Sequence, residues 1–212
     1  LVTGEITKNS AYVYSICLGV SGFLILYTQT TEVAAFIALS ANIFYSFVYT
    51  LFLKPRTNQN IVIGGAAGAA PVLIGWSATG TNLETGSWLL FLLVFLWTPA
   101  HFWALSIDKL NDYKDANFPM LPTQESYKRT SIFIGIYSCA TVLTSLLLAP
   151  ILQLGIVYLL LALIFGIYLM YKSYQLYRKE IKAISYFVFS NTYLAVIFLS
   201  MVADIFFTLS NI

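Results

Sequence analysis

The sequence predicts an all-α, multi-pass membrane bundle, and three observations carry that prediction. The first is composition. Of 212 residues, 59% are hydrophobic and 9% charged, with a mean hydropathy of +0.80, whereas an ordinary soluble domain carries about 25% charged residues. A disordered chain, a nucleic-acid binder built on a basic face and a water-soluble enzyme of this size are all excluded. The second is the length of the apolar runs. A membrane helix needs about 20 mainly apolar residues, and seven such runs occur, at 9–28, 32–53, 60–78, 87–106, 130–149, 152–171 and 186–208. No β-alternation in units of about ten residues competes with them. The third is where the cations fall.

All eleven Lys and Arg lie in alternate connections. Lys8 precedes the first run, and Lys54 and Arg56 follow the second. Lys109, Lys114, Lys128 and Arg129 separate the fourth from the fifth, and Lys172, Arg178, Lys179 and Lys182 the sixth from the seventh. Alternating helices place every one on the same side, which the positive-inside rule makes cytoplasmic. The net charge of +2 therefore conceals complete sidedness and implies a lipid bilayer as partner and no nucleic acid.

Each run has its own justification. The first is not a secretory signal, since no basic leader or small-residue cleavage site accompanies it. Cys17 within it and Cys139 in the fifth run have no CxxC or His neighbour, and small apolar packing is the expected role of both. In the third run, Gly64, Gly68 and Gly75 fit close helix packing, with a kink expected at Pro71. Its Gly/Ala run lacks the GK[ST] ending of a phosphate loop. The connections 107–129 and 172–185 are long; the former holds four of the nine acids. Basic residues of the second, with Tyr171, Tyr174 and Tyr177, read as an interfacial anchor. Asp204 reads as a helix-end residue reaching water.

Two constellations point to chemistry. Trp97, His101, Asp108, Asp112 and Asp115 fall within an arc of about 80° if one helix continues through them. Carboxylates at such spacing form an oxygen-rich site of the kind Mg²⁺ uses beside a phosphate-bearing substrate. The same residues also read as a solvated loop neutralised by Lys109 and Lys114, and His101 as a helix-to-helix hydrogen bonder. The second constellation runs from Lys54 and Arg56 to Asn60; its two bases, on the same side as the acids, suit a diphosphate or are ordinary juxtamembrane charge.

The stretches LKPRTNQNIVIGGAAGAAPVLIGW (53–76) and LWTPAHFWALSIDKLNDYKDANFPMLP (96–122) resemble the two signature segments of the protohaem IX farnesyltransferases, or haem O synthases, of the UbiA prenyltransferase superfamily. The opening LVTG extends the likeness over the whole chain, so residues 1–212 read as one membrane-embedded domain.

The resemblance implies nine helices around a cavity, with two aspartate-rich motifs holding Mg²⁺ and farnesyl diphosphate. It also implies transfer of a farnesyl group to a vinyl carbon of haem B, giving haem O for terminal oxidases. Asp112 matches the second acidic motif, with Asp108 and Asp115 at DxxxD-type spacing and Tyr113 beside it. Lys54, Arg56 and Asn60 match a basic substrate-binding stretch, and His101 the HFWAL segment, where it would orient the porphyrin. Trp97 and Trp103 would stabilise an allylic cation. Pro55 and Ala100 depart from the pattern.

The first acidic motif and two helices are missing upstream, and the chain begins at Leu1. The expectation is a fragment with about seven of nine helices, inactive alone. The membrane expected is a bacterial inner membrane, with the mitochondrial inner membrane as alternative. The rival functions are prenylation of an aromatic or quinone precursor and a non-enzymatic haem or ion carrier.

Overall fold

The computed structural model describes residues 3–209, with side chains through Phe206. Leu1 and Val2 of LVTG, and the last side chains of the run 186–208, lie outside the described residues. The helices, in order, are α1 (Lys8–Gln29), α2 (Glu32–Leu53), α3 (Asn60–Ala78), α4 (Thr85–Asp108), the short α5 (Leu110–Asp115) and α6 (Leu121–Gln124), α7 (Tyr127–Ile151), α8 (Ile156–Tyr177) and α9 (Ala183–Leu209). Among the described residues there is no strand, and seven helices are long and apolar enough to cross a membrane.

Local chemistry sets the helix starts. Thr7, Thr31 and Ser126 each accept a hydrogen bond from the backbone N–H three residues on, and Glu84 forms a capping box with Ser87. Thr31 also donates to the Ser77 carbonyl at 2.9 Å, tying the α1–α2 turn to the end of α3.

Helices α4, α7, α8 and α9 close a ring around the core, where Leu93, Ala104, Ile134, Leu148, Tyr158, Tyr193 and Ile197 are fully buried. Hydroxyl pairs cross between these helices. Tyr186 and Ser138 lie 2.6 Å apart, and Tyr193 donates to Ser145 Oγ at 2.8 Å. Such bonds hold helices together where lipid supplies no hydrophobic drive between them. Helices α3, α2 and α1 extend from α4 as an arm, each packed on the next. No residue of α1 is buried although its face is apolar. An apolar helix exposed all round belongs in lipid rather than water.

Several expectations are corrected. The connection 172–185 shrinks to residues 178–182, because α8 runs to Tyr177 and α9 begins at Ala183. Cys17 and Cys139 are exposed on the outer surface rather than packed inside. Asp204 does not simply reach water. Its carboxylate accepts the Gly155 N–H at 2.6 Å, at the N-cap of α8.

The glycine reading is also redistributed. A Cβ at Gly64 would strike the Tyr49 ring and one at Gly166 would lie 2.7 Å from Val142, whereas Gly68 and Gly75 face open space. Gly64→Ala therefore overpacks the α2–α3 contact and destabilises by about 1–3 kcal/mol. Gly75→Ala gains helix propensity without a clash. Unfolding of the two variants in detergent separates them; equal midpoints would refute this account of Gly64.

Candidate functional site

The site forms where the arm meets the ring. In α2, residues Phe44–Leu53 wind as a π-helix. A π stretch this long is unusual, and π turns are frequent at functional sites. It stacks the rings of Tyr45 and Tyr49 at 5.3 Å, and the Gly64 gap lets Tyr49 lie against α3. Between α2, α3, α4 and the segment after α5 lies a cavity of about 640 Å³, inside the range of about 300–1,000 Å³ typical of small-molecule sites. Its walls include Tyr45, Tyr49, Gly68, Thr98 and Phe102, while Lys54, Tyr113 and Phe118 close the end that carries the cations.

Lys54 Nζ sits 5.1 Å from the centre of the Phe118 ring, which joins the α2–α3 turn to the α5–α6 segment. Arg56 is directed elsewhere: Nη1 donates to the Leu51 carbonyl at 2.9 Å and its guanidinium covers Phe52. It thus satisfies carbonyls at the end of α2. Asn60, fully buried at the start of α3, donates from Nδ2 to the Lys54 carbonyl at 3.3 Å, and its Oδ1 has no partner. It holds the turn that presents Lys54.

The α4 residues fan out over two neighbouring helices. Trp97 donates from Nε1 to the Ser190 carbonyl on α9 at 2.9 Å. His101 is stacked between Trp97 and Phe187 with ring centres at 4.1 and 4.2 Å, and its Nδ1 lies 2.7 Å from Ser190 Oγ. Because Ser190 donates its hydroxyl proton to the Phe187 carbonyl, Nδ1 carries the imidazole proton and Nε2 keeps its lone pair. Trp103 is buried against Phe133 and Tyr137 on α7, its indole N–H unpartnered. None of these three lines the cavity; Thr98 and Phe102 are the α4 residues that do.

The acidic arc is corrected as well. Helix α4 ends at Asp108, because Lys109 adopts φ −100° and ψ 29°, and α5 restarts at Leu110. Asp108 therefore lies on a different helix from Asp112 and Asp115. It pairs with Lys109 at 3.7 Å, and all three acids are exposed.

Among the described residues no three His, Cys, Asp or Glu side chains converge into a metal cage. Mg²⁺ does not require one, since it is commonly held by one or two carboxylates plus substrate phosphates and water. Asp112 and Asp115, three residues apart on α5, fit that donor set.

Residues missed in the sequence are Tyr45, Tyr49, Phe102 and Phe118. Their signal was present in part: Tyr45 and Tyr49 lie one turn apart just before Lys54, and Phe102 follows His101.

Comparison with known proteins agrees with this geometry. No solved structure matches the chain. It is 42% identical over 209 residues to the protoheme IX farnesyltransferase of Clavibacter sepedonicus, covering 96% of this chain and 68% of that protein. The Synechocystis sp. protein of the same name is 43% identical over 205 residues, covering 95% and 65%. The Thermus thermophilus protein is 42% identical over 205 residues, and there the match covers 96% of this chain but 34% of the relative. The chain thus spans from one third to about two thirds of these relatives' lengths. Over residues 1–203 the chain belongs to the UbiA prenyltransferase family.

Proposed function

We propose that the complete protein containing this sequence transfers a farnesyl group from farnesyl diphosphate to a vinyl carbon of haem B, giving haem O. The observation that carries this reading is the likeness of some 95% of the chain to proteins named protoheme IX farnesyltransferase, together with an apolar cavity that has Lys54 at one end.

In this reading the isoprenoid chain lies along Tyr45, Tyr49, Gly68 and Phe102, and the diphosphate meets Lys54. Mg²⁺ held at Asp112 and Asp115 would supply charge neutralisation for the leaving diphosphate. Lys54 contributes positive charge where negative charge develops. The aromatic faces of the cavity lie where an allylic cation would form, a role that falls to Tyr45, Tyr49 and Phe102 in place of Trp97 and Trp103. Asn60 positions Lys54 through its backbone. The vinyl carbon attacks the allylic carbon as the carbon–oxygen bond to diphosphate breaks, and water adds through its oxygen to the carbocation left on the porphyrin side chain, losing a proton to solvent and leaving a hydroxyl. His101, stacked between Trp97 and Phe187 and held at Nδ1 by Ser190, lies outside the cavity and takes no substrate contact in this reading.

Lys- and Arg-rich connections face the cytoplasm in this reading. The membrane is a bacterial inner membrane, with the mitochondrial inner membrane as alternative, and the product serves terminal oxidase assembly. Membranes carrying the complete protein, given haem B and farnesyl diphosphate, should form haem O in a Mg²⁺-dependent manner. Prenylation of an aromatic acid instead, or haem uptake without product, would overturn the assignment.

A further inference from the structure

A second concavity lies between α7 and α8, at the cation-bearing end of the bundle, and shares no residue with the cavity described above. It has a volume of about 480 Å³ and is lined by Ser126, Tyr127, Lys128, Tyr177, Arg178 and Lys179. We propose that this pocket binds the phosphodiester headgroup of an anionic phospholipid from the surrounding leaflet.

The cations are held across the groove rather than left to wander. Lys128 of α7 lies 6.0 Å from the centre of the Tyr177 ring on α8, and Lys179 lies 5.0 Å from the Tyr127 ring on α7. The Tyr127 hydroxyl donates to the Leu176 carbonyl at 2.7 Å and locks the two helices together. An ammonium over a ring face keeps its N–H donors for a further acceptor. Arg178 adds a third cation, partly balanced by Glu180 at 3.6 Å, so the group remains net positive. Tyr127 and Lys128 open α7, where backbone N–H groups lack intrahelical acceptors.

Lys179 occupies a left-handed position, φ 60°, directly after α8. Its N–H and that of Glu180 close onto the Leu176 and Gln175 carbonyls at 2.9 Å. Glycine is the ordinary choice for that position; lysine there puts a charge into the pocket at the expense of backbone comfort.

Chemistry nearby favours a lipid over free phosphate. Ile132 lies one helical turn from Lys128 and Tyr174 one turn from Tyr177, both on the pocket's side of their helices and both exposed. Acyl chains attached to a seated headgroup would run down this apolar surface. Basic pockets between membrane helices on the cytoplasmic side suit such headgroups.

Native mass spectrometry of the complete protein in a neutral detergent, with equal amounts of palmitoyl-oleoyl phosphatidylglycerol and phosphatidylcholine, tests this. The variant is Lys128→Gln/Lys179→Asn, asparagine being tolerant of the left-handed backbone. We expect one retained phosphatidylglycerol in preference to phosphatidylcholine, and a preference about tenfold or more weaker in the variant. A charge-matched control, Lys8→Gln/Lys182→Gln, should keep it. An unchanged preference in the double variant overturns the proposal, as does displacement of the lipid by millimolar inorganic phosphate. If the double variant fails to fold by circular dichroism, each single substitution is read in its place. Both must then weaken the preference, and loss in neither overturns the proposal.

Discussion

Gly68→Leu is expected to lower haem O formation in the complete protein sharply while leaving its unfolding midpoint in detergent close to that of the parent. No heavy atom lies within 4 Å of a Cβ at this position, so the backbone and neighbouring helices have no cause to move. The added side chain instead projects into the 640 Å³ cavity, where an isoprenoid chain would lie. Overpacking acts on whatever fills the space, and here that is the substrate. A loss of about 100-fold in kcat/KM, or about 2.7 kcal/mol, is the expected scale. Gly65→Ala meets Thr98 and Phe95 at ordinary contact distances of 3.5 and 3.6 Å and should retain activity. Parent-like turnover by Gly68→Leu would show that the cavity does not hold the chain.

Asp112→Asn is expected to lower haem O formation by about 100-fold or more, the scale of losing a group that stabilises developing charge. Unlike Gly68→Leu, it should respond to metal: raising Mg²⁺ restores part of the rate, because the substitution weakens a ligand rather than filling the cavity. Asp108→Asn should cost much less, since Asp108 already pairs with Lys109 at the end of α4. Equal losses at Asp108 and Asp112, or no Mg²⁺ response, would count against α5 as the metal-holding element.

Both variants turn on features that the sequence showed unequally. The spans were legible because lipid imposes a single length and polarity on every crossing. The eleven cations, confined to alternate connections, carry the expectation of sidedness. Lys54, Asp112 and Asp115 stood out because charge at a helix end is conspicuous, and Tyr113 through the resemblance; of these the cavity lining takes in Lys54 and Tyr113. Helical phase was harder to read. One residue, Lys109, breaks α4, so Asp112 lies on a separate helix from Trp97 and His101. The π-wound half of α2 is invisible to a 3.6-residue periodicity, so the stacked Tyr45 and Tyr49 could not be aimed. Gly64 and Gly68 looked alike in sequence, yet one receives a ring and the other borders a void. Only the position of the neighbouring helix distinguishes them.

Besides the Tyr186–Ser138 and Tyr193–Ser145 pairs, helix α9 is fastened at two widely separated points. At Ser190 it takes the indole N–H of Trp97 and the imidazole of His101, and at Asp204 it takes the backbone N–H of Gly155. Those anchors stand 14 residues apart, roughly 21 Å along a helix. A rod bolted at both ends can neither slide nor roll, so α4, α9 and the α7–α8 turn behave as one fixed frame. The opposite wall of the cavity, built from α2 and α3, joins that frame through the packing of α3 on α4, and Thr31 pins its far corner to the end of α3.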